Sequence, residues 1–329
     1  MRYVSDIYFD PNYGKLYETI EEGACETFEH RSSLGVIRHM FIKRKISTQI
    51  NGKTYYDLIT PYGYGGPLIT TCQNGEETEL VNEFEVAFRG YCERNDIISE
   101  FVRFHPVVRN AIDFQGCYAV EHIRNTVGTS LEETDDPFQS AFSKSCRKRV
   151  RKGLRDGVSY KITEKPTDLE EFKKIYHSTM DRNNASDFYY FDDQYFEHCI
   201  KLLGENLLLV EALYKQQPIA MGFYFVYNKM IHIHLSGTLS EYLYLSPAYI
   251  LRYAVTTWGK EKGYELIHHG GGRTNDPNDG LYLFKKQFGN TEFEFCIGKK
   301  VWNEGVYQQL CRASGVNQST EFFPAYRHN

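Results

Sequence analysis

The stretch that decides the fold is YELIHHGGGRTNDPNDGLYLFKKQFG, residues 264–289. It begins with a β-prone run that ends in three glycines, and it continues through a polar loop into an amphipathic helical turn. Successive glycines let a backbone approach a ligand closely, and the helix that follows begins with unpaired N–H groups. Together with Lys285 and Lys286, these features predict a site for a negatively charged group. The alternative is a flexible surface loop between a strand and a helix.

Composition limits the class of protein. The 329 residues are enough for two ordinary domains, and the formal charge of −5 provides no global basic field for nucleic acid. The eight cysteines show no CxxC pair and no Cys/His metal spacing, which predicts reduced thiols in a cytoplasmic protein and no metal site. No apolar run approaches the ~18 residues of a membrane span, so none is expected.

The first half alternates β-prone segments with turn signals. The Asn51–Gly52 dipeptide predicts a hairpin. The loop TPYGYGGP, residues 60–67, is either a tight turn with tyrosines packed on the neighbouring domain or a pocket wall whose hydroxyls bind a polar substrate. Arg103 and His105 share one face of a strand, an arrangement that alone is more typical of a satisfied pair than of a ligand site. The pattern predicts strands over residues 25–30, 35–46, 55–60, 97–106 and 117–123, and a helix over residues 76–94.

A strongly basic element, FQSAFSKSCRKRVRKGLR, occupies residues 138–155. Helical spacing gives it one apolar stripe, and seven cations without an acid cover the rest of its surface. A charge run is usually a solvated face. In an acidic protein, however, this density favours a platform for a phosphate backbone or a pyrophosphate. The platform residues are expected to be Arg147, Lys148, Arg151 and Lys152.

The second half has the element order of the GNAT acyltransferase fold, which is strand, two helices, a three-strand meander, helix, strand, helix and strand. Helices are expected to begin at the capping box of residues 167–170 and at Asp192. We therefore predict an α/β (α+β) protein with tandem GNAT-like acyltransferase domains, in which mixed, mostly antiparallel sheets are flanked by helices. The predicted domains are residues 1–140 and 141–329, with the C-terminal strand and helix as a candidate completion of the first domain.

Three stretches together resemble the FemABX family, the aminoacyl-tRNA-dependent transferases that build peptidoglycan cross-bridges, and the related acetyltransferase 6 proteins. They are TPYGYGGP (residues 60–67), SKSCRKRVRKGLRDGV (residues 143–158) and HHGGGR…DGLYLFKKQFG (residues 268–289). Their order matches over nearly the whole chain. No long heptad stretch corresponds to the coiled-coil arm of the larger members, so the chain resembles a short, armless form.

The resemblance implies an acyltransferase that moves an aminoacyl or acyl group to an amine on a peptidoglycan precursor or a cell-surface glycan. Lys285 matches the lysine of the family's Phe-Lys…Phe-Gly motif and is the expected catalytic residue, acting by electrostatic stabilisation. Arg182 resembles a family arginine that binds acceptor phosphate. No general base is identified. The other expected substrate-binding residues are Lys43, Tyr62, Tyr64, Arg103, His234, Ser236, Gly271 and Arg273.

The donor stays open at this point. No tightly bound cofactor is expected; the co-substrate is an activated acyl donor, either aminoacyl-tRNA or acyl-CoA. Residues 238–247, TLSEYLYLSP, stand where the usual CoA pyrophosphate loop would be, and this difference favours a donor other than CoA. The expected partners are tRNA and a nucleotide-sugar peptide or amino-sugar acceptor, and the oligomeric state is not predicted. The alternatives are an acyl-CoA-dependent N-acetyltransferase of an amino sugar or small amine, and a non-catalytic binding protein on the same fold.

Overall fold

The computed structural model describes residues 5–316 and 320–328. Within these ranges the helices, α1 to α10 in chain order, are Pro11–Lys15, Glu77–Arg94, Asn110–Asp113, Pro137–Ser140, Lys144–Arg155, Glu170–Arg182, Asp193–Leu203, Pro247–Glu261, Gly280–Lys285 and Glu304–Ala313. The strands, β1 to β12, are Gly23–Arg31, Gly35–Lys45, Tyr56–Ile59, Leu68–Cys72, Ile97–Arg103, Ala119–Ser130, Val158–Glu164, Leu207–Tyr214, Gln217–Tyr227, Met230–Thr238, Leu266–Gly271 and Thr291–Val301. Most of the elements predicted from the sequence are therefore present.

Two local predictions are wrong. The single helix expected over residues 138–155 is two helices, because Ser143 interrupts it and caps α5 by accepting the N–H of Cys146. The capping box at residues 167–170 does not form, since Asp168 rather than Thr167 accepts the N–H of Glu170. The strand β11 does end in successive glycines, as predicted, and two of the three glycines belong to it.

The chain divides into two compact units, Met1–Ile123 with Glu294–Asn329 and Arg124–Phe293. The second unit begins at Arg124, and most of β12 together with α10 lies with the first unit. The domain boundary after residue 140 stays a prediction. Each unit repeats one arrangement: a helix leads from an antiparallel meander into a strand that pairs in parallel, β3 with β5 in the first unit and β10 with β11 in the second.

In the first unit the strand order is β1-β2-β3-β5-β12, and β4 also pairs with β2. One face of this sheet packs against α2, whose buried Phe84 and Phe88 contact a core that includes Phe41 and Val102. The other face packs against α10 and against residues 320–328, which we call the C-terminal segment. Because successive side chains of a strand point to opposite faces, Ile97 joins the first core and Ile98 joins the second.

In the second unit the order is β6-β11-β10-β9-β8-β7. On one face, the fully buried Ile250 and Leu251 of α8 pack with the apolar stripe of α5. On the other face, Phe172 of α6 contacts Phe223 of β9, with ring centroids 5.6 Å apart. The prediction of mixed, mostly antiparallel sheets flanked by helices is confirmed.

All eight cysteines are unpaired, five buried and three half-buried, as predicted for reduced thiols. Among the helices in the described ranges, none combines the length and the apolar character that crossing a membrane requires.

Candidate active site

Two neighbouring strands separate in the middle of the second unit. β10 and β11 pair in parallel over only three positions, from Met230 with Leu266 to His232 with His268. Beyond this point β10 stays paired with β9 and β11 stays paired with β6. Past His232 and His268, the facing edges of β10 and β11 therefore do not pair with each other, and an extended ligand can bind between them as an added strand would. We call this region the strand opening.

The glycines at and just after the end of β11 are closely surrounded by other atoms of the protein. A Cβ atom on Gly271 would lie 2.9 Å from the backbone oxygen of Asn125, and one on Gly272 would lie 2.6 Å from the Asp279 carboxylate. Asp279 also accepts the N–H groups of Leu281 and Tyr282, so it caps α9. Backbone hydrogen bonds, led by that of Tyr282, lower the pKa of Asp279 to about 2. The anion predicted at this helix N-terminus is therefore the protein's own carboxylate.

Lys285 lies at the end of α9 and is half-buried. Its Nζ donates a hydrogen bond to the carbonyl oxygen of Gly271, at 2.7 Å, so it lies at the end of β11. The pKa of Lys285 is lowered from 10.5 to about 7, mainly by burial and also by Arg252 and Arg124, while Asp279 opposes them. The next residue, Lys286, is exposed and forms an ion pair with Glu292 at 2.7 Å, as expected for a surface lysine.

Two cations near Lys285 were not predicted from the sequence. Arg252 of α8 is only 6% exposed and donates from Nη1 to the Tyr224 hydroxyl at 2.6 Å. Arg124 of β6 donates to the carbonyl oxygens of Gly272 and Arg273 at 2.7 and 2.8 Å. In the sequence both are isolated arginines, and only the fold places them close to Lys285.

Several buried polar atoms of the second unit lack a hydrogen-bond partner, and those of Arg252, Arg124 and His269 belong to residues that act electrostatically on Lys285 or are acted on by it. Within the described residues they include Nε of Arg252 and of Arg124, Nδ1 of His269, Oγ1 of Thr256 and Oγ of Ser236. Such atoms are rare in native proteins unless a water or a ligand satisfies them. Burial, with help from Arg252 and Lys285, also lowers the pKa of His269, so its ring is neutral. The region can therefore accommodate a polar, anionic group.

The predicted residues on β10 and α6 lie near the C-terminal end of β10. His234 has its Nε2 2.7 Å from the Tyr195 hydroxyl, and burial with the neighbouring His232 lowers the pKa of His234 to about 3. Arg182 donates to the carbonyl oxygen of Thr238 at 2.6 Å and to Ser240 Oγ at 3.1 Å. The substrate-binding roles of His234, Ser236 and Arg182 stay predictions, as do those of Gly271 and Arg273.

Four predicted substrate-binding residues belong to the first unit. Lys43 lies 3.8 Å from a Glu26 carboxylate oxygen and over the Tyr56 ring. In the loop of residues 60–67, the Tyr62 carbonyl oxygen accepts the Tyr13 hydroxyl at 2.7 Å, and Tyr64 packs edge-on against Tyr8 and Phe295. These contacts all lie within the first unit, and both interpretations of the loop stay predictions. Arg103 lines a cavity of the first unit, and the roles of all four residues stay predictions.

The basic helix α5 presents a row of exposed cations, Lys144, Lys148, Arg149, Arg151, Lys152 and Arg155. Of the predicted platform, Lys152 is paired with Asp156 at 2.5 Å, and Arg151 donates to the Gln139 side chain at 3.0 Å. Arg147 is half-buried and donates to the carbonyl oxygens of Gln139 and Phe142, so it holds α4 to α5. Lys148 has no ion pair in the part of the chain that the structure describes.

Comparisons by sequence find two similarities to known proteins. A family model described as "Acetyltransferase (GNAT) domain" matches residues 140–278. The UDP-N-acetylmuramoylpentapeptide-lysine N(6)-alanyltransferase of Weissella viridescens is 22% identical over 284 residues, which cover 79% of this chain and 81% of that protein.

Solved structures resemble the whole chain. The crystal structure of FemX matches with a TM-score of 0.73 at 12% identity, over 93% of this chain and 94% of FemX. The L-PGS of Bacillus licheniformis matches with a TM-score of 0.53 at 11% identity, over 89% of this chain and 93% of that one. Identities this low show the fold alone. The predicted GNAT-like fold is thereby confirmed.

Proposed function

The chain is a FemABX-like acyltransferase, and we propose that it transfers an aminoacyl group to an amine of a peptidoglycan precursor. The relative from Weissella viridescens is named for adding alanine to a lysine of UDP-N-acetylmuramoylpentapeptide, and the likeness covers about four fifths of both chains, 79% and 81%. The acceptor proposed here is of the same kind, a nucleotide-linked muramyl peptide with a free side-chain amine.

The observation that carries the proposal is the position of Lys285. It is bound to the end of the strand opening through Gly271, and two further cations, Arg252 and Arg124, are close enough to lower its pKa. The nearby carboxylate, Asp279, already accepts backbone N–H groups at the start of α9. Lys285, Arg252 and Arg124 therefore place positive charge beside the strand opening, where an acyl donor would bind.

Aminoacyl transfer has chemical requirements that this arrangement meets. A neutral amine attacks the carbonyl carbon of the aminoacyl ester, the new N–C bond forms, and the ester C–O bond breaks. The amine loses a proton and the leaving ribose oxygen gains one. Negative charge develops first on the carbonyl oxygen and then on the leaving oxygen, and a positioned cation stabilises both. We assign this role to the protonated form of Lys285.

The basic surface of α5 supports an RNA-linked donor. Its exposed cations form a continuous row, and cationic rows bind phosphate backbones independently of base sequence. The family model favours a second candidate, because its description names acetyl transfer. In that case the donor is acyl-CoA and the acceptor is an amino sugar or a small amine.

One assay separates the two candidates. The purified protein is incubated with UDP-N-acetylmuramoyl-pentapeptide and either alanyl-tRNA or acetyl-CoA, and the acceptor is analysed by mass spectrometry. We expect the acceptor to gain an alanyl residue from alanyl-tRNA and nothing from acetyl-CoA. An acetylated product alone would reject the aminoacyltransferase and establish the second candidate. Binding of the pentapeptide without turnover of either donor would favour a binding protein.

A further inference from the structure

The first unit contains a cavity of about 940 Å³ that the transferase proposal does not use. It lies on the face of the sheet opposite α2, between the ends of β5 and β12 and the C-terminal segment. Its apolar wall includes Phe101 and Ile297 from the sheet and Phe322 and Phe323 from the C-terminal segment. Its volume falls in the range of small-molecule sites, roughly 300–1,000 Å³.

Most charged side chains on the cavity wall are neutralised within the first unit. Arg44 donates to Asp57 at 2.9 Å and to Glu21 at 3.2 Å. Arg327 also donates to Asp57, at 3.2 Å. A third cation of the wall, Lys299, forms an ion pair with the wall residue Glu121 at 2.8 Å.

Arg103 is the exception. Its Nη1 donates to the carbonyl oxygen of Thr60 at 2.9 Å, and its guanidinium lies 5.2 Å from the centroid of the Phe101 ring. Across residues 5–316 and 320–328 it donates to no carboxylate; Glu321, also on the wall, is exposed and makes no ion pair with it. Burial lowers the pKa of Arg103, although Glu21 opposes this. A guanidinium that lies between an aromatic ring and a cavity, and that contacts no carboxylate, can bind an incoming anion directly.

We propose that this cavity binds a small organic acid with one carboxylate and an apolar body, the carboxylate on Arg103 and the body against the phenylalanine-lined wall. Arg103 is the one wall cation that contacts no carboxylate among the described residues, and a single carboxylate suffices to pair with it. A diphosphate would bring more charge than the wall balances, and it would leave the apolar surface uncovered. The site lies entirely within the first unit and does not depend on the transferase activity.

The probe is 2-naphthoate, measured by isothermal titration calorimetry against its neutral amide, 2-naphthamide, and against pyrophosphate. We expect naphthoate to bind at least tenfold more tightly than the amide, and pyrophosphate not to compete. Equal affinities of acid and amide, or displacement of naphthoate by pyrophosphate, would overturn the proposal. Acetyl-alanyl-alanine is titrated in the same way. Tighter binding of this peptide than of naphthoate would identify the ligand as a peptide C-terminus, and weaker binding would identify it as a free organic acid.

Variants identify the site. Arg103→Met should weaken naphthoate binding about tenfold or more and remove the preference for the acid over the amide. Phe322→Ala, at a side chain that is 50% exposed and so tolerant of change, should weaken both ligands to a similar extent. Arg38→Met is the matched control, because Arg38 is an exposed arginine paired with Glu29 away from the cavity. Naphthoate affinity that stays unchanged in both Arg103→Met and Phe322→Ala would place the ligand elsewhere.

Discussion

Two groups of cations in the second unit differ in how they are held. Those of α5 follow one another along the sequence and are mostly exposed to solvent. Lys285, Arg252 and Arg124 come from three distant positions: Lys285 and Arg124 donate to Gly271 and Gly272, and Arg252 is close enough to lower the pKa of Lys285. Their side chains are wholly or partly buried. Exposed charges are screened and contribute little energy individually, whereas charges with restricted solvation perturb one another strongly. From this difference we infer a binding surface on α5 and a reactive site around Lys285.

The sharpest test of the buried group is the pair of adjacent lysines. Lys285→Met should lower kcat/KM for aminoacyl transfer by about 10²-fold or more, because an electrostatic contact to the developing oxyanion is lost. Lys286→Met is the control and should stay within about twofold, since that side chain is exposed and paired with Glu292. The measurement is the initial rate with saturating acceptor. Comparable losses in the two variants would show that Lys285 has no special role.

The second test concerns Arg252, which we regard as a positioning residue acting through Lys285. Arg252→Met should lower kcat/KM about tenfold. It also removes a positive neighbour, so the pKa of Lys285 should rise, and the alkaline limb of the pH–rate profile should move to higher pH. Thr256→Val, on the same helix, is the control and should leave that limb in place. An unchanged limb in Arg252→Met would exclude electrostatic coupling to Lys285.

These two groups also show what a sequence can and cannot predict. The row on α5 and most of the strands follow from local periodicity and are predicted from the sequence, whereas the Ser143 cap that splits the helix and the short strand β4 are not. Arg252 lies in a helical pattern like any other arginine, and its proximity to Lys285 depends on how α8 packs on the sheet. The glycines predicted a ligand cradle, but Asp279 and the backbone at Asn125 occupy that space. Long-range packing leaves no local signal.

The buried group also predicts a pH dependence of stability. The pKa of Lys285 is about 7 in the folded protein and 10.5 as the ordinary value, so the unfolded chain binds an extra proton between these pH values. The free energy of unfolding should therefore rise with pH across this window, relative to Lys285→Met. The destabilisation caused by burying the protonated Lys285 is complete below pH 7, and it disappears as the pH approaches 10.5. Urea unfolding of both proteins at several pH values measures the difference, and a constant difference would contradict the lowered pKa.

The smallest effects are expected on α5. Replacing Lys148 and Arg151 together by alanine should change the free energy of unfolding by no more than about 0.5 kcal/mol, because both side chains are exposed. If α5 contacts the phosphates of an RNA-linked donor, the slope of log affinity against log salt should fall by about 0.7–0.9 for each contact removed. The matched control replaces Arg31 and Lys174, two exposed cations on other elements, and removes the same charge. A slope that changes equally in both double variants would mean that net charge alone drives RNA binding. If the slope changes in neither double variant, α5 is only a solvated face. The functional cations would then be Lys285, Arg252 and Arg124 alone.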